Sequence, residues 1–367
     1  MRKEICVITT AHHASDVRIF AKEVSALAQV PKYKIFYAAH GLANNENIDF
    51  ISLGVKPSNR ILRFTKSFLA PFKVLKKTRA EIWHIHDPEL IPFAITLKIL
   101  GKVIIWDAHE DYFSQLDSKN PHREYIPKIL RGFVKIGFKF LLRIMDIISD
   151  GVIAATPEIA KKYRNRNLCI VGNECILENF INCSPNYESK NILFIGSMSS
   201  QQSFRAVVDA IALLKDCKLV VAGESNDIEM RYASYKLGLR FEHLGQIQQE
   251  GIAKAISDSA IGLMTYFDSK LYETLNSPNK FYEFAASSLP ILATPTRANI
   301  ALIESAKCGH VVSGFDSLDI SQGIDFMLSS KTQLYKWGMN GRNWATLNGN
   351  WNDSKIRLIE FYSKLSK

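Results

Sequence analysis

Ile261-Gly262-Leu263-Met264, then Ser277-Pro278-Asn279-Lys280-Phe281-Tyr282-Glu283, then Pro290-Ile291-Leu292-Ala293 read in order as a strand, a helix start and a second strand. A strand that returns through a helix runs parallel to its predecessor, so this stretch predicts an α/β layer on a parallel sheet. The helix start carries chemistry as well. Ser277 suits an N-cap whose hydroxyl takes up a first-turn N–H, and Pro278 at the first helical position forfeits no hydrogen bond. The remaining N–H groups and the positive end of the dipole suit a phosphate placed before them. Lys280 adds a full charge, and Glu283, three residues on, shares its helix face. A cation for a diphosphate beside a carboxylate for sugar hydroxyls is what a nucleotide-sugar site needs.

The same alternation runs outward through the chain. Ile5–Thr10, Ile35–Ala39, Ile82–Ile85, Val103–Ala108 and Gly151–Ala155 read as central strands of a first half. Asn191–Ile195, Lys218–Ala222, Phe241–His243, Ile261–Met264 and Pro290–Ala293 repeat the arrangement in a second. Between them, 167–190 is polar and irregular. The expected organisation is an N-terminal Rossmann-like domain over 1–166, a linker over 167–190, and a C-terminal Rossmann-like domain over 191–350. A terminal helix over 351–367, periodic from Asp353 to Leu365, follows. Two doubly wound domains of this kind place ligands at the carboxyl ends of their strands.

Composition narrows the function classes. Hydrophobic content of 47% with 22% charged residues is that of a water-soluble globular protein. No apolar run is long enough to span a bilayer, and Met1–Glu4 leading into Ile5–Ile8 reads as a strand start rather than a signal peptide. The six cysteines show no CxxC pairing, which argues against a cysteine zinc site and suggests free thiols in a reducing cytoplasm. Lys and Arg outnumber Asp and Glu by 27 to 18 up to residue 185 but only by 19 to 18 beyond it. The excess concentrates in 60–79, with seven cations and no acid, and in 128–143, where Lys128, Arg131, Lys135, Lys139 and Arg143 form one helical stripe. The expected partner is an anionic membrane surface met from the cytoplasmic side, the alternative being a core helix with a solvated charged face. Nucleic acid is not expected, since no recognition motif accompanies the charge. His84 and His86 alternate along a strand and so should face opposite sides of the sheet, which sets aside a zinc site made of them and His109. No GxGxxG follows any predicted strand, which disfavours a nicotinamide oxidoreductase.

With the motifs in place, the chain resembles glycosyltransferase family 4, retaining enzymes of GT-B fold. The likeness rests on Asp16-Val17-Arg18-Ile19-Phe20-Ala21-Lys22-Glu23, His84-Ile85-His86-Asp87-Pro88-Glu89-Leu90 and Trp106-Asp107-Ala108-His109-Glu110-Asp111-Tyr112 in the first half. In the second it rests on Phe194-Ile195-Gly196-Ser197, Val220-Val221-Ala222-Gly223-Glu224 and Ser277 through Ala285. The resemblance implies two Rossmann-like domains facing an interdomain cleft and transfer of a sugar from a nucleotide-diphosphate donor to a glycan or lipid-linked acceptor. It implies no metal or other cofactor and a role in cell-surface polysaccharide synthesis. His109, Lys280 and Arg18 become the expected catalytic residues. Gly196, Ser197, Gln202, Gly223, Glu224, Ser277, Pro278, Asn279 and Glu283 would hold the donor. His13, Asp16, His86, Asp87 and Glu110 would lie on the acceptor side, and the terminal helix would cross back to the first domain.

Three departures bear on activity. Gln202 stands where the family carries a cation for the departing diphosphate, and leaving-group stabilisation is mainly electrostatic. Arg205 could substitute, although it lies about 300° further round its helix. Leu275 replaces a second glutamate, with Glu273 two residues away, and Thr9–Ala14 lacks the usual glycine pair. These leave open a GT-B protein that binds without catalysis, and a nucleotide-sugar epimerase of the same fold.

Overall fold

Apolar β-branched runs form strands wherever both sheet faces are covered, and the expected bounds hold at Ile82–Ile85, Val103–Ala108, Asn191–Ile195, Lys218–Ala222, Phe241–His243 and Ile261–Met264. The computed structural model describes residues 2–55, 60–113, 128–199, 202–267 and 278–366, with the side chains of 60–68 and 128–131 left aside. The chain divides into two units, Met1–Gly172 with Asn352–Lys367, and Asn173–Trp351.

In the first unit the described strands are β1 (Lys3–His13), β2 (Tyr33–His40), β3 (Ile48–Ser52), β4 (Ile82–Ile85), β5 (Val103–Ala108), β6 (Gly151–Ala154) and β7 (Leu168–Ile170). They pair in parallel in the order β3-β2-β1-β4-β5-β6-β7. The second unit holds β8 (Asn191–Ile195), β9 (Lys218–Ala222), β10 (Phe241–His243), β11 (Ile261–Met264), β12 (Ile291–Ala293) and β13 (Gly309–Val311). Their order is β10-β9-β8-β11-β12-β13, again parallel. In each sheet the chain winds outward from one strand, then returns to its other side. The loops leaving β1 and β4, and those leaving β8 and β11, therefore diverge and open a crevice at the carboxyl ends.

The sequence reading overlooked β3, β7 and β13. All three are edge strands, short and only half covered, so they lack a continuous apolar run. The stretch 167–190, expected as a linker, is divided. Leu168–Ile170 is the edge of the first sheet, whereas Leu177, Phe180 and Cys183 are core residues of the second unit. The terminal helix, Trp351–Leu365, packs on the first unit from Asn352 onward. Phe361 and Leu365 lie so close over Gly151 that a Cβ there would strike both, and Tyr362 is fully buried.

Helix Lys128–Ile148 corrects a second expectation. The basic stripe should be its solvent face, yet Lys135, Lys139 and Arg143 are half-buried. Arg143 donates to the Lys162 carbonyl at 2.7 Å. The exposed positions are instead Phe133 (74%), Ile136 (68%), Phe140 (65%) and Ile147 (80%), whose spacing puts them on one face. Packing chose which side faced inward, because Leu142 and Met145 make the seal and both are fully buried. Among the described residues no helix is long and apolar enough to cross a membrane.

Candidate functional site

Two clusters of polar side chains form at carboxyl strand ends, one in each unit. The second unit is the simpler. Gly196 follows β8 with φ +142° and Gly223 follows β9 with φ +144°, a region open to glycine alone. A Cβ on Gly223 would overlap the Gly196 carbonyl, and a Cβ on Gly196 would overlap the Gln202 amide. The two turns therefore stack closely, exposing backbone where a side chain would block a ligand. Lys280 comes from helix Asn279–Ala286 and reaches under this turn. Its ammonium donates to the Ile195 carbonyl at 3.1 Å and to Gln202 Oε1 at 3.0 Å, and lies 5.4 Å from the Phe194 ring centre and 5.0 Å from that of Tyr266. Burial pulls its pKa down to about 7, only partly opposed by the charge of Glu283. Thr265, just past β11, pins the Gln202 carbonyl at 2.9 Å.

The helix begins one residue later than expected. Pro278 occupies the N-cap position with extended backbone and makes no side-chain cap, so Asn279 opens the helix. Ser277, Glu273 and Leu275 lie outside the described residues. Glu283, on the same helix, is 7% exposed. Ser197 is half-buried, its hydroxyl on Ser199, and Glu224 is exposed, its carbonyl accepting from the Met198 N–H. Arg205 does not stand in for the missing cation, because it is at the surface, 3.0 Å from Glu229.

The first unit has the opposite character. Asp16 opens helix Val17–Val24, accepting from the Ile19 N–H at 2.9 Å. This helix closes i→i+5: Ala21 N–H reaches the Asp16 carbonyl and Ser25 N–H that of Phe20. Residues five apart, about 140° apart on an α-helix, are brought together by the wider turn. Arg18 and Glu23 thus meet at 3.1 Å. Arg18 also reaches Asp107 at 3.2 Å and the carbonyls of Val171 and Gly172 at 2.9 and 3.2 Å. Burial pushes the Asp107 carboxyl up, but the Arg18 charge and the bonds from His109 and His84 outweigh it and hold Asp107 well below its ordinary value. Burial, then the charge of Asp107, raises Glu23 well above its own.

This buried frame revises three expected roles. Arg18 is 6% exposed with its charge committed to carboxylates and carbonyls, so it is a structural clamp and no free cation for a phosphate. His86 is fully buried and Asp87 is 1% exposed, its carboxylate receiving the N–H groups of Thr10 (2.7 Å) and Ala11 (3.2 Å). Both are sealed from solvent in this frame. The strand ends at Ile85, so His86 escapes the alternation and turns back beside His84, their ring centres 4.3 Å apart.

An outer layer covers the frame. His109, after β5, binds Asp107 through Nδ1 at 3.2 Å and His12 through Nε2 at 3.2 Å. His12 also faces Asp16 at 3.2 Å. Burial opposes its protonation, but the bond to Asp16 and the charges of Asp87, Asp16 and Glu110 raise its pKa to about 9. Asp16 falls to about 2, since the His12 bond and charge overcome burial. Glu110 is exposed at the rim. His13 turns aside to bond Ser15 at 2.8 Å and covers Gly41. His12, not His13, joins the cluster; two adjacent histidines at the end of β1 could not be told apart by pattern.

Residues 189–330, all within the second unit, match the family described as Glycosyl transferases group 1. No curated protein matches the chain. Solved structures do. The sucrose-phosphate synthase of Thermosynechococcus elongatus shares 15% identity over 99% of each chain, with a TM-score of 0.77. WaaG, a glycosyltransferase involved in lipopolysaccharide biosynthesis, shares 14% over 96% of this chain and 99% of its own, with a TM-score of 0.72. HepE of Anabaena, solved with UDP-glucose, shares 12% over 99% of this chain and 100% of its own, with a TM-score of 0.69. At such identities the likeness shows the fold.

Proposed function

From a chain of GT-B fold whose residues 189–330 match the group 1 glycosyltransferases, we propose an enzyme that moves a sugar from a nucleotide diphosphate to a glycan or lipid-linked acceptor with retention. The observation that carries this is Lys280. A buried ammonium with a lowered pKa, bonded among the described residues to neutral oxygens and only partly offset by the charge of Glu283, gains most when a diphosphate placed at the two glycine turns adds negative charge. The donor then stabilises protonated Lys280, and protonated Lys280 stabilises the departing diphosphate as the anomeric bond breaks and the acceptor oxygen attaches on the same face. No metal is needed at the diphosphate in this reading. Glu283 would take the ribose hydroxyls, and His109, oriented by Asp107, would contact the transferred sugar.

The exposed Phe133, Ile136, Phe140 and Ile147, flanked by half-buried Lys135, Lys139 and Arg143, support peripheral docking on an anionic bilayer from the cytoplasmic side. A lipid-linked acceptor for a cell-surface polysaccharide suits such a position. Co-sedimentation with vesicles rich in anionic lipid should be lost when Phe133 and Phe140 are both changed to Asp.

A thermal-shift screen against UDP-, GDP-, ADP- and CDP-sugars tests the donor. A ligand at 100 times its Kd adds about 2.7 kcal/mol of stability. UDP-sugars come first, since HepE was solved with one. No saturable shift with any nucleotide sugar, and no transfer to any lipid-linked acceptor, would overturn the reading. Gln202 favours one rival, a protein that binds the donor without turnover. Conversion of donor with no acceptor present would identify an epimerase instead.

A further inference from the structure

Glu23, His84, His86 and Asp107 come from three separate segments of the first unit, and each turns one donor atom to a common point. These four atoms lie within 4.8 Å of one another, and all four residues are fully buried. His84 Nε2 is 3.5 Å from Asp107 Oδ2 and 4.0 Å from Glu23 Oε2, and His86 Nε2 is 3.7 Å from Glu23 Oε2. Glu23 Oε2 and the Nε2 atoms of His84 and His86 lack any hydrogen-bond partner and face the common point, whereas Glu23 Oε1 meets Arg18 at 3.1 Å. Buried polar atoms are normally paired, and three unpaired ones at a single point call for an explanation.

We propose that these four side chains bind one divalent transition metal, zinc by the nature of the donors, as a closed structural site. Zinc takes imidazole and carboxylate donors at about 2.0–2.2 Å, so neighbouring donors in a tetrahedron stand roughly 3.3–3.6 Å apart. The separations of 3.5, 3.7 and 4.0 Å exceed this by up to a few tenths of an ångström, and the remaining pairs, which reach no further than 4.8 Å, would close by up to about 1.2 Å. Outer contacts aim the ligands. Tyr362 Oη holds His84 Nδ1 at 2.8 Å, so an Nδ1–H donated to the phenol leaves the Nε2 lone pair facing the centre. Arg18 and His109 brace Asp107 at 3.2 Å each. Full burial with four protein donors distinguishes the site from a catalytic metal, which keeps a position open to water. The ion would tie the i→i+5 helix (Glu23) to the ends of β4 (His84, His86) and β5 (Asp107). The rival is a proton on Glu23 shared with Asp107, which balances charge without a metal.

The inference stands apart from the glycosyl-transfer reading, because its readouts are metal content and melting. The full chain, purified without a metal-affinity tag or chelator, should carry about one equivalent of zinc by mass spectrometry of the elements. After chelation, zinc but not magnesium should raise Tm, and cobalt should give the visible bands of a four-coordinate site. Glu23→Gln and His86→Gln should each lower the content below roughly a tenth of an equivalent. His86→Cys, which keeps a donor, should retain metal and add a thiolate charge-transfer band with cobalt. Should the glutamine variants fail to fold, the wild type and His86→Cys decide alone. A folded wild type below a tenth of an equivalent with no Tm response to zinc overturns the proposal in favour of the shared proton. Folded glutamine variants that keep a full equivalent overturn it as well.

Discussion

The two strand-end clusters use charge in opposite ways. In the first unit, Arg18, Glu23, Asp107, His84, His86 and His109 sit against one another, and almost every charge is answered from within. In the second, Lys280 bonds among the described residues to a carbonyl and an amide oxygen, between two aromatic rings. A charge paired internally frames a site, while a buried charge that its neighbours only partly offset is poised for a ligand that brings the rest. Sequence motifs rank Arg18 and Lys280 alike as cations; only their surroundings separate clamp from binder.

The sharpest way to break this contrast is to remove each cation. Arg18→Met leaves two buried carboxylates unanswered and should cost about 3–5 kcal/mol of stability in chemical denaturation, with Glu23→Gln in the same chain recovering part of it. Lys280→Ala should leave stability unchanged or improved, since it removes a desolvated charge, yet lower transfer by about 10²–10³-fold in a donor-saturated assay. If Lys280→Ala instead unfolds the protein and Arg18→Met spares it, the assignment of clamp and binder is reversed.

pH sharpens the comparison further. The folded pKa of His12 is raised from 6.5 to about 9, so its contribution is complete below 6.5 and disappears as pH rises through 9. His12→Gln should therefore cost about 1–3 kcal/mol at pH 6 and nothing at pH 10, read from denaturation at the two pH values. Lys280 runs the other way. Its folded pKa falls from 10.5 to about 7, so the burial penalty is complete below 7 and fades as pH rises to 10.5. Affinity for a nucleotide diphosphate should fall by up to about tenfold per pH unit above 7, and Lys280→Arg should flatten that profile. The smallest effect concerns Gln202. Gln202→Lys places a second cation beside the first and should raise kcat by a few-fold to about tenfold if the leaving group is under-neutralised, at some cost in stability from like-charge contact.

Local sequence was enough for the layers and their order. Runs such as Ile82–Ile85 and Ile261–Met264 are apolar on both faces because parallel strands are covered on both sides, so each run declares itself without its partners. The lysine helix was legible for the same reason, being a property of a few adjacent residues, whereas the glycine turns after β8 and β9 were expected from the family resemblance. Three of the four edge strands were not legible, since a half-covered strand has no continuous signature. Three decisions belonged to the tertiary structure. An i→i+5 turn brought Glu23 to Arg18; the early end of β4 put His86 beside His84; and the packing of Leu142 and Met145 turned Phe133 and Phe140 outward. Each depends on which side chains win the buried positions, and that competition is settled only when the core closes.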